Sequence, residues 1–196
     1  MRRVAAMFLA CVFLAVVGPP ANAATTPVSV VDFAFNPKTI KIAQGGAVNW
    51  MNTGTRTHTA TQDAPLSLFD TGSIAPGATS AGAMLTAAGI YAYHCTFHPI
   101  MTGSIKVPVK VAPTSGTTLT VFKITLATQA APSGSVYDVQ EKVGDGAWAA
   151  YATGVTTATT TFKATSAGTY AFRSSLRKVS TGAKSKPSPA KAVTVT

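Results

Sequence analysis

Three side chains able to bind a metal recur at intervals of three in the stretch YAYHCTFHPIMTG, residues 91–103. They are Cys95, His98 and Met101. A loop with this spacing can fold back so that the three side chains converge on one point, and Pro99 stiffens its return by fixing its own backbone angle. A thiolate, an imidazole and a thioether are ligands of graded softness. The loop therefore predicts most of a metal site.

The missing ligand is a second histidine, since two histidines, one cysteine and a weak axial methionine form an electron-transfer copper site. The chain has three histidines. Side chains alternate between the two faces of a strand, so if Cys95 faces the core, His94 faces away. His58, in a loop after a predicted strand, is then left as the fourth ligand. Zinc also binds cysteine and histidine, but the methionine favours copper.

The elements that must position these residues are strands. Gly, Pro, Thr and Ser interrupt the sequence every eight to twelve residues, with alternating apolar and polar residues between them. This pattern predicts an all-β protein of sandwiches or barrels. The predicted strands are 28–35, 39–42, 47–51, 81–85, 89–94, 103–111, 119–127, 136–143, 148–152, 159–163, 168–174 and 192–195.

The strands fall into two groups of about 80 residues each. Residues 112–118 lack large apolar side chains and contain Pro and Gly, so they predict a linker. We therefore expect one domain over 24–111 and a second over 119–196. Trp50, Met51 and Met84 are expected in the core of the first domain.

The first 23 residues are typical of an export signal. Arg2 and Arg3 precede an apolar run over 4–17, and Ala21-Asn22-Ala23 supplies the small residues of a cleavage site. We expect cleavage after Ala23 and an exported product, extracellular, at the cell surface or periplasmic. No later segment is long and apolar enough to cross a membrane. Cleavage leaves Cys95 as the one cysteine, a liability in an oxidising compartment unless something protects it.

The charge is strongly basic and uneven. The chain has 16 Lys and Arg against 6 Asp and Glu, and no acid follows Asp145. This balance suits a solvated surface or attraction to an anionic partner, such as a cell-wall polymer or an acidic redox protein. Nucleic acid is not expected as a partner, because no binding motif is present. We expect a monomer.

Residues 28–111 resemble the small blue copper proteins, or cupredoxins, of the plastocyanin, pseudoazurin and amicyanin type. The Cys-x-x-His-x-x-Met loop is the most specific element and is similar to the short amicyanin loop. The other matching segments are Phe35-Asn-Pro37, Gly46-Ala-Val-Asn-Trp50, His58, Phe69-Asp-Thr-Gly72, Pro76-Gly77, Gly89-Ile-Tyr-Ala-Tyr-His-Cys95 and Gly103.

The resemblance implies a Greek-key β-sandwich or barrel holding one type 1 copper ion. It implies that His58, Cys95 and His98 are equatorial ligands and Met101 the axial one. Several members have Asn after the upstream histidine, where it braces the ligand loops; Thr59 stands there in this chain. The resemblance also implies an electron exit at His98 within an apolar patch, supplied here by Phe97, Pro99 and Ile100. His94, next to Cys95, offers a second route.

The second half resembles a fibronectin type III module, an immunoglobulin-like β-sandwich. The resemblance rests on Tyr137-Asp-Val-Gln140, Trp148 and Tyr170-Ala-Phe-Arg173, followed by Gly182, Ser185 and Ser188. Tyr170 is placed as in a tyrosine corner. Such modules act as spacers or binding domains.

Four functions compete, one of them a surface adhesin in which the second domain is primary. An exported carrier of single electrons, cycling between Cu(I) and Cu(II), fits the single predicted site. An enzyme with several copper centres needs more histidine clusters than three histidines can build. A copper-binding or copper-handling surface protein is the main alternative, although the exposed His-rich or Met-rich tracts suited to copper delivery are absent from the sequence.

Overall fold

The computed structural model describes residues 24–196; the predicted signal segment, 1–23, lies outside them. The described residues form strands and no helix, so the all-β prediction is confirmed. None of them forms a helix that could span a membrane. The strands are β1 Thr25–Val31, β2 Ala34–Asn36, β3 Thr39–Lys41, β4 Gly46–Asn52, β5 Thr61–Gln62, β6 Ala83–Leu85, β7 Gly89–His94, β8 Thr102–Val107, β9 Lys110–Ala112, β10 Ser115–Gly116, β11 Phe122–Thr125, β12 Ser135–Val143, β13 Ala149–Val155, β14 Thr159–Phe162, β15 Gly168–Lys178 and β16 Lys191–Val195.

Two four-stranded sheets form the first half, in the orders β2-β1-β4-β6 and β3-β8-β7-β5. β1 and β4 run parallel, whereas β7 and β8 are antiparallel. Alternate side chains of each sheet are buried, among them Val28, Trp50 and Tyr91. Strand alternation therefore makes the core and also orients the end of β7, where Cys95 follows.

Two further sheets form the second half, in the orders β14-β11-β9 and β10-β16-β15-β12-β13. Tyr170, on β15, donates a hydrogen bond from its hydroxyl to the carbonyl of Ser166, four residues upstream, at 2.9 Å. This is the backbone contact expected of a tyrosine corner.

Backbone hydrogen bonds join the two halves beside β7. The Ala88 N–H donates to the Leu126 carbonyl at 2.8 Å, and the Ile90 N–H donates to the Lys186 carbonyl at 3.0 Å. The Gln44 side chain donates to the carbonyls of Pro108 and Thr125. One cluster of buried residues runs through both halves. The strand that leads to Cys95 is thus held in part by the second half.

The predicted strand 28–35 is wrong as a single element. It is divided at Asp32 and Phe33, where the chain reverses and β2 pairs antiparallel with β1. Phe33 adopts a positive φ of 66°, a conformation uncommon for residues other than glycine. The turn contains neither Gly nor Pro, so its composition gave no signal.

The predicted strand 103–111 is likewise two strands. β8 ends at Val107, Pro108 follows, and β9 pairs with β11 of the second half. Part of the predicted linker is also paired, because β10 lies beside β16. The division into domains at 112–118 stays a prediction. The other predicted strands fall on observed ones, and the two-residue strands β5 and β10 were not predicted.

The expected core position is correct for Trp50 and wrong for Met51 and Met84. Trp50 is fully buried, whereas Met51 is 47% and Met84 61% exposed. Met51 follows Trp50 on β4, and successive residues of a strand point to opposite faces. Burial of Trp50 therefore directs Met51 outward.

Candidate metal centre

Cys95 directly follows β7, and strand alternation decides which way it points. Tyr91, Tyr93 and Cys95 are buried, with Cys95 fully shielded from solvent. His94 lies on the opposite face with a third of its side chain exposed. It pairs there with Asp63, whose Oδ1 is 2.6 Å from the His94 Nδ1. The predicted orientations of these side chains are observed.

The loop after Cys95 closes on itself through backbone hydrogen bonds. The His98 N–H donates to the Cys95 carbonyl at 3.2 Å, and the Met101 N–H donates to the His98 carbonyl at 2.8 Å. The Cys95 N–H in turn donates to the Met101 carbonyl at 3.0 Å. These bonds follow the spacing of three that the sequence shows, and they close the loop between Cys95 and Met101.

His58 reaches the same place from the other direction, in the segment between β4 and β5. Its backbone exchanges two hydrogen bonds with Ile74, at 2.7 and 3.1 Å. Asn52, the last residue of β4, donates from its side chain to the carbonyls of Arg56 and Ile74. The segment before His58 is therefore fixed at both ends, and the His58 side chain is fully buried.

The side-chain atoms of these residues converge. The Cys95 Sγ lies 3.7 Å from the His58 Nδ1 and 3.6 Å from the His98 Nδ1. One ligand atom from each of the three residues lies within 4.8 Å of the others, close enough to share a metal ion. Met101 is 1% exposed.

The spacings fit a metal ion. With bonds of about 2.0 Å to nitrogen and about 2.3 Å to sulfur, and angles of about 110–120°, the N and S ligand atoms lie roughly 3.5–3.7 Å apart. The observed distances agree without movement of the side chains. Two imidazoles and one thiolate, with the buried thioether of Met101 at the end of the same loop, are the donor set of a type 1 copper site, so the centre fits one copper ion.

Thr59 connects the two segments that carry the ligands. Its hydroxyl accepts a hydrogen bond from the Thr96 N–H at 2.9 Å and lies 3.1 Å from the Thr96 hydroxyl. Its own N–H points at the Cys95 Sγ, 3.4 Å away. The hydroxyl thus spans from the His58 segment to the residue after Cys95, the position at which the resemblance implied an Asn brace.

Asp32, an acidic residue that the sequence gave no reason to single out, lies beside the centre. The Asp32 Oδ1 is 3.6 Å from the His58 Nε2. Hydrogen bonds from the Thr55 side chain and backbone hold the pKa of Asp32 below its ordinary value, with smaller contributions from the Arg56 backbone and from His58. Asp32 is therefore ionised at neutral pH.

The surface over His98 is apolar. Phe97 is 53% and Ile100 86% exposed, and Pro99 is exposed beside them. Phe33, which the sequence did not indicate, meets the His98 ring edge to face at 4.9 Å between centroids. The sequence gave no indication of this contact, because Phe33 lies in a turn far from His98 along the chain.

Comparison with known proteins supports the same assignment for the first half. Residues 23–108 match the family model described as copper binding proteins, plastocyanin/azurin family. No curated protein matches the chain.

Three solved structures with some likeness each cover less than half of this chain. A purple cupredoxin from Nitrosopumilus maritimus is 20% identical and covers 41% of this chain and 97% of its own, with a TM-score of 0.39. A reduced mutant of amicyanin is 22% identical over 44% of this chain and 84% of its own, with a TM-score of 0.40. A Cu-containing nitrite reductase from Thermus scotoductus SA-01 is 26% identical over 48% of this chain and 24% of its own, with a TM-score of 0.40.

Proposed function

We propose that this protein is an exported blue copper protein that carries single electrons between redox partners. The observation that supports this most is the convergence of the His58 Nδ1, the Cys95 Sγ and the His98 Nδ1 at spacings that suit one metal ion. In this proposal these three residues and Met101 would hold the ion. Bound copper would supply a one-electron couple, Cu(I)/Cu(II).

The protein's part is to hold the ligands still and keep water away. His58, Cys95 and Met101 are each at most 1% exposed, and backbone bonds hold both the ligand loop and the His58 segment. A site that changes little between two oxidation states exchanges electrons with little rearrangement. Burial of the Cys95 sulfur also protects an unpaired cysteine from oxidation in an oxidising compartment.

Electrons would enter or leave at His98, the ligand with partial exposure. Phe33, Phe97 and Ile100 surround it with exposed apolar surface, which suits brief contact with a partner protein. His94 is a second proposed route, since it is bonded to Cys95 along the chain and reaches the other surface. Its pairing with Asp63 would hold that ring in place.

We also propose a non-enzymatic role, which the ligand count supports. His58 and His98 lie in the centre, and His94 is turned away and paired with Asp63. These are the chain's three histidines, so none is left for a second copper centre. Four protein ligands would also leave no open position for substrate on the ion.

The decisive experiment is addition of Cu(II) to the purified mature protein, followed by visible spectroscopy and voltammetry. An intense thiolate-to-copper charge-transfer band with a reversible one-electron wave supports the carrier. A stable colourless complex, or copper lost readily to a chelator, would favour the copper-handling alternative instead. Cys95→Ser should abolish the band, whereas the matched His94→Ala change should leave it intact.

For the second half we propose a fibronectin type III-like spacer whose basic surface attracts an anionic polymer or an acidic redox protein. Support comes from exposed cations, including Lys184, Lys186 and Lys191. Deleting the second half, residues 114–196, would not test this role alone, because it would also remove the hydrogen bonds that Ala88 and Ile90 make with that half. Replacing the three lysines with Gln should instead weaken binding to labelled polyglutamate and reduce its salt dependence, with the copper spectrum unchanged.

Export is proposed on the resemblance and the predicted signal segment. Mass spectrometry of the secreted or periplasmic protein should give a mature chain that begins at Ala24. Chromatography of that chain should give the size of a monomer. A retained residue 1–23 segment would contradict the export proposal and leave the copper proposal untouched.

A further inference from the structure

The turn between β1 and β2 places a carboxylate against one of the two histidines of the centre. The His58 Nδ1 is the ring atom that faces the Cys95 Sγ. If Nδ1 binds the ion, the ring proton is on Nε2. The His58 side chain is fully buried, and its Nε2 has no partner within hydrogen-bond distance among the described residues. The Asp32 Oδ1 lies 3.6 Å from this Nε2.

Asp32 is held in this position by the segment that leads to His58. The Thr55 N–H donates to Oδ1 at 2.9 Å, the Thr55 hydroxyl donates to Oδ2 at 2.7 Å, and the Arg56 N–H donates to Oδ1 at 3.2 Å. A Cβ added to Gly54 would collide with the same carboxylate. The Asp32 side chain therefore has little freedom to turn away from His58.

The next residue of the turn meets the other histidine. Phe33 has a φ of 66°, a conformation that is unfavourable for a non-glycine residue, and its ring packs edge-on against His98. The Arg56 guanidinium lies over the other part of the ring, 5.7 Å from its centroid. The two residues of one turn thus contact both histidines, although the turn lies 25 residues or more from each of them in sequence.

We propose that Asp32 is a positioning residue for the metal centre: it fixes His58 in the tautomer with a free Nδ1, and its negative charge stabilises the more positive state of the bound ion. Metal-bound histidines generally direct their second N–H to a carboxylate, a carbonyl or water. The charge part of the proposal rests on the proposed copper function. The tautomer part does not, since it concerns the chain without metal.

A purely structural role for Asp32 makes a different prediction. If Asp32 only holds Thr55 and Arg56, the Asn oxygen can accept the two backbone N–H bonds and the Asn NH2 can donate to the Thr55 hydroxyl, so Asp32→Asn should leave the centre unchanged. If the charge acts on His58, that substitution should alter the centre while the fold persists. Asp32→Glu keeps the charge and provides a second comparison.

The first measurement is made on the metal-free protein, with histidine labelled by 15N and the pH held near 8. Long-range 1H–15N spectra report which ring nitrogen carries the proton. We expect a single Nε2–H tautomer for His58 in the wild type and a loss of that single population in Asp32→Asn. Predominant Nδ1–H in the wild type would overturn the proposal, and this measurement needs no variant to fold.

The second measurement is the reduction potential of the copper-loaded proteins. Asp32→Asn should shift it to a more positive value, Asp32→Glu should stay near the wild type, and the matched charge change Asp145→Asn in the second half should have no effect. Equal potentials for Asp32→Asn and Asp145→Asn would refute the charge effect. A wild type that takes up no copper would instead refute the proposed function. The tautomer part of the proposal would still be tested by the first measurement, which needs no metal.

Discussion

Thr59→Val gives the sharpest test of how the two ligand segments are joined. Valine matches threonine in shape but cannot accept the hydrogen bond from the Thr96 N–H, which is 2.9 Å from the Thr59 Oγ1. Thr59 is 4% exposed, so no water replaces the lost oxygen from its side. The Thr96 side chain is exposed, and its hydroxyl can turn to solvent.

The cost is therefore dominated by one backbone N–H left without an acceptor, worth about 1–3 kcal/mol. We expect the free energy of unfolding of the metal-free protein to fall by about 2 kcal/mol. With a urea m-value of roughly 2 kcal/mol/M, the midpoint should fall by about 1 M. Fluorescence during urea titration, with a reductant to protect Cys95, measures this directly.

Thr39→Val is the matched control. The Thr39 hydroxyl lies 3.0 Å from the Ser104 hydroxyl in an exposed pair, and both groups can bond to water instead. Its free energy of unfolding should change by no more than about 0.5 kcal/mol. With the same m-value, the urea midpoint should move by about 0.25 M or less. If Thr59→Val and Thr39→Val lower the midpoint equally, the Thr59 hydroxyl does not brace the ligand segments and the reasoning is wrong.

Three further predictions concern other parts of the structure. Gly103→Ala should destabilise the protein by about 1–3 kcal/mol, because a Cβ there would overlap the buried Tyr93 ring. Gly82→Ala should be tolerated, because its Cβ would lie 3.7 Å from the Ala47 Cβ. Thermal unfolding of both variants tests the difference. Leu126→Ala should cost about 2–5 kcal/mol, since Leu126 is fully buried in the cluster shared by both halves, and urea titration followed by fluorescence should show one transition shifted as a whole. The hydrogen bond from Arg177 lowers the pKa of Asp138 in the folded protein. This pair therefore contributes up to about 1 kcal/mol of stability above the ordinary pKa near 4, and the contribution is lost as the pH falls through the lower folded pKa. The difference in stability between wild type and Asp138→Asn should shrink in acid, and a difference that grows there would contradict this sign.

The ligand loop could be predicted because its constraints are local, whereas His58 was reached by elimination among the chain's three histidines. The spacing of Cys95, His98 and Met101 is visible in the sequence, and alternation along β7 separates His94 from Cys95. The same alternation, applied to β4, would have placed Met51 on the outside next to the buried Trp50. That error came from judging a residue by its apolar character and not by its position on the strand.

The surroundings of the centre could not be predicted, because they depend on contacts between distant segments. Asp32 and Phe33 reach the histidines only because the chain reverses after β1, and this turn has no glycine or proline to mark it. Strands as short as β5 carry too few residues for a pattern. The bonds from Ala88 and Ile90 to the second half pair segments that share no recognisable motif.

The most direct measurement is the visible spectrum of the mature protein during titration with Cu(II), with Cys95→Ser and His94→Ala titrated in parallel. The proposed centre predicts an intense charge-transfer band that saturates at one copper per chain, is absent from Cys95→Ser, and is retained by His94→Ala. A wild-type spectrum without this band, or one that survives the loss of Cys95, would contradict a copper centre built on His58, Cys95, His98 and Met101.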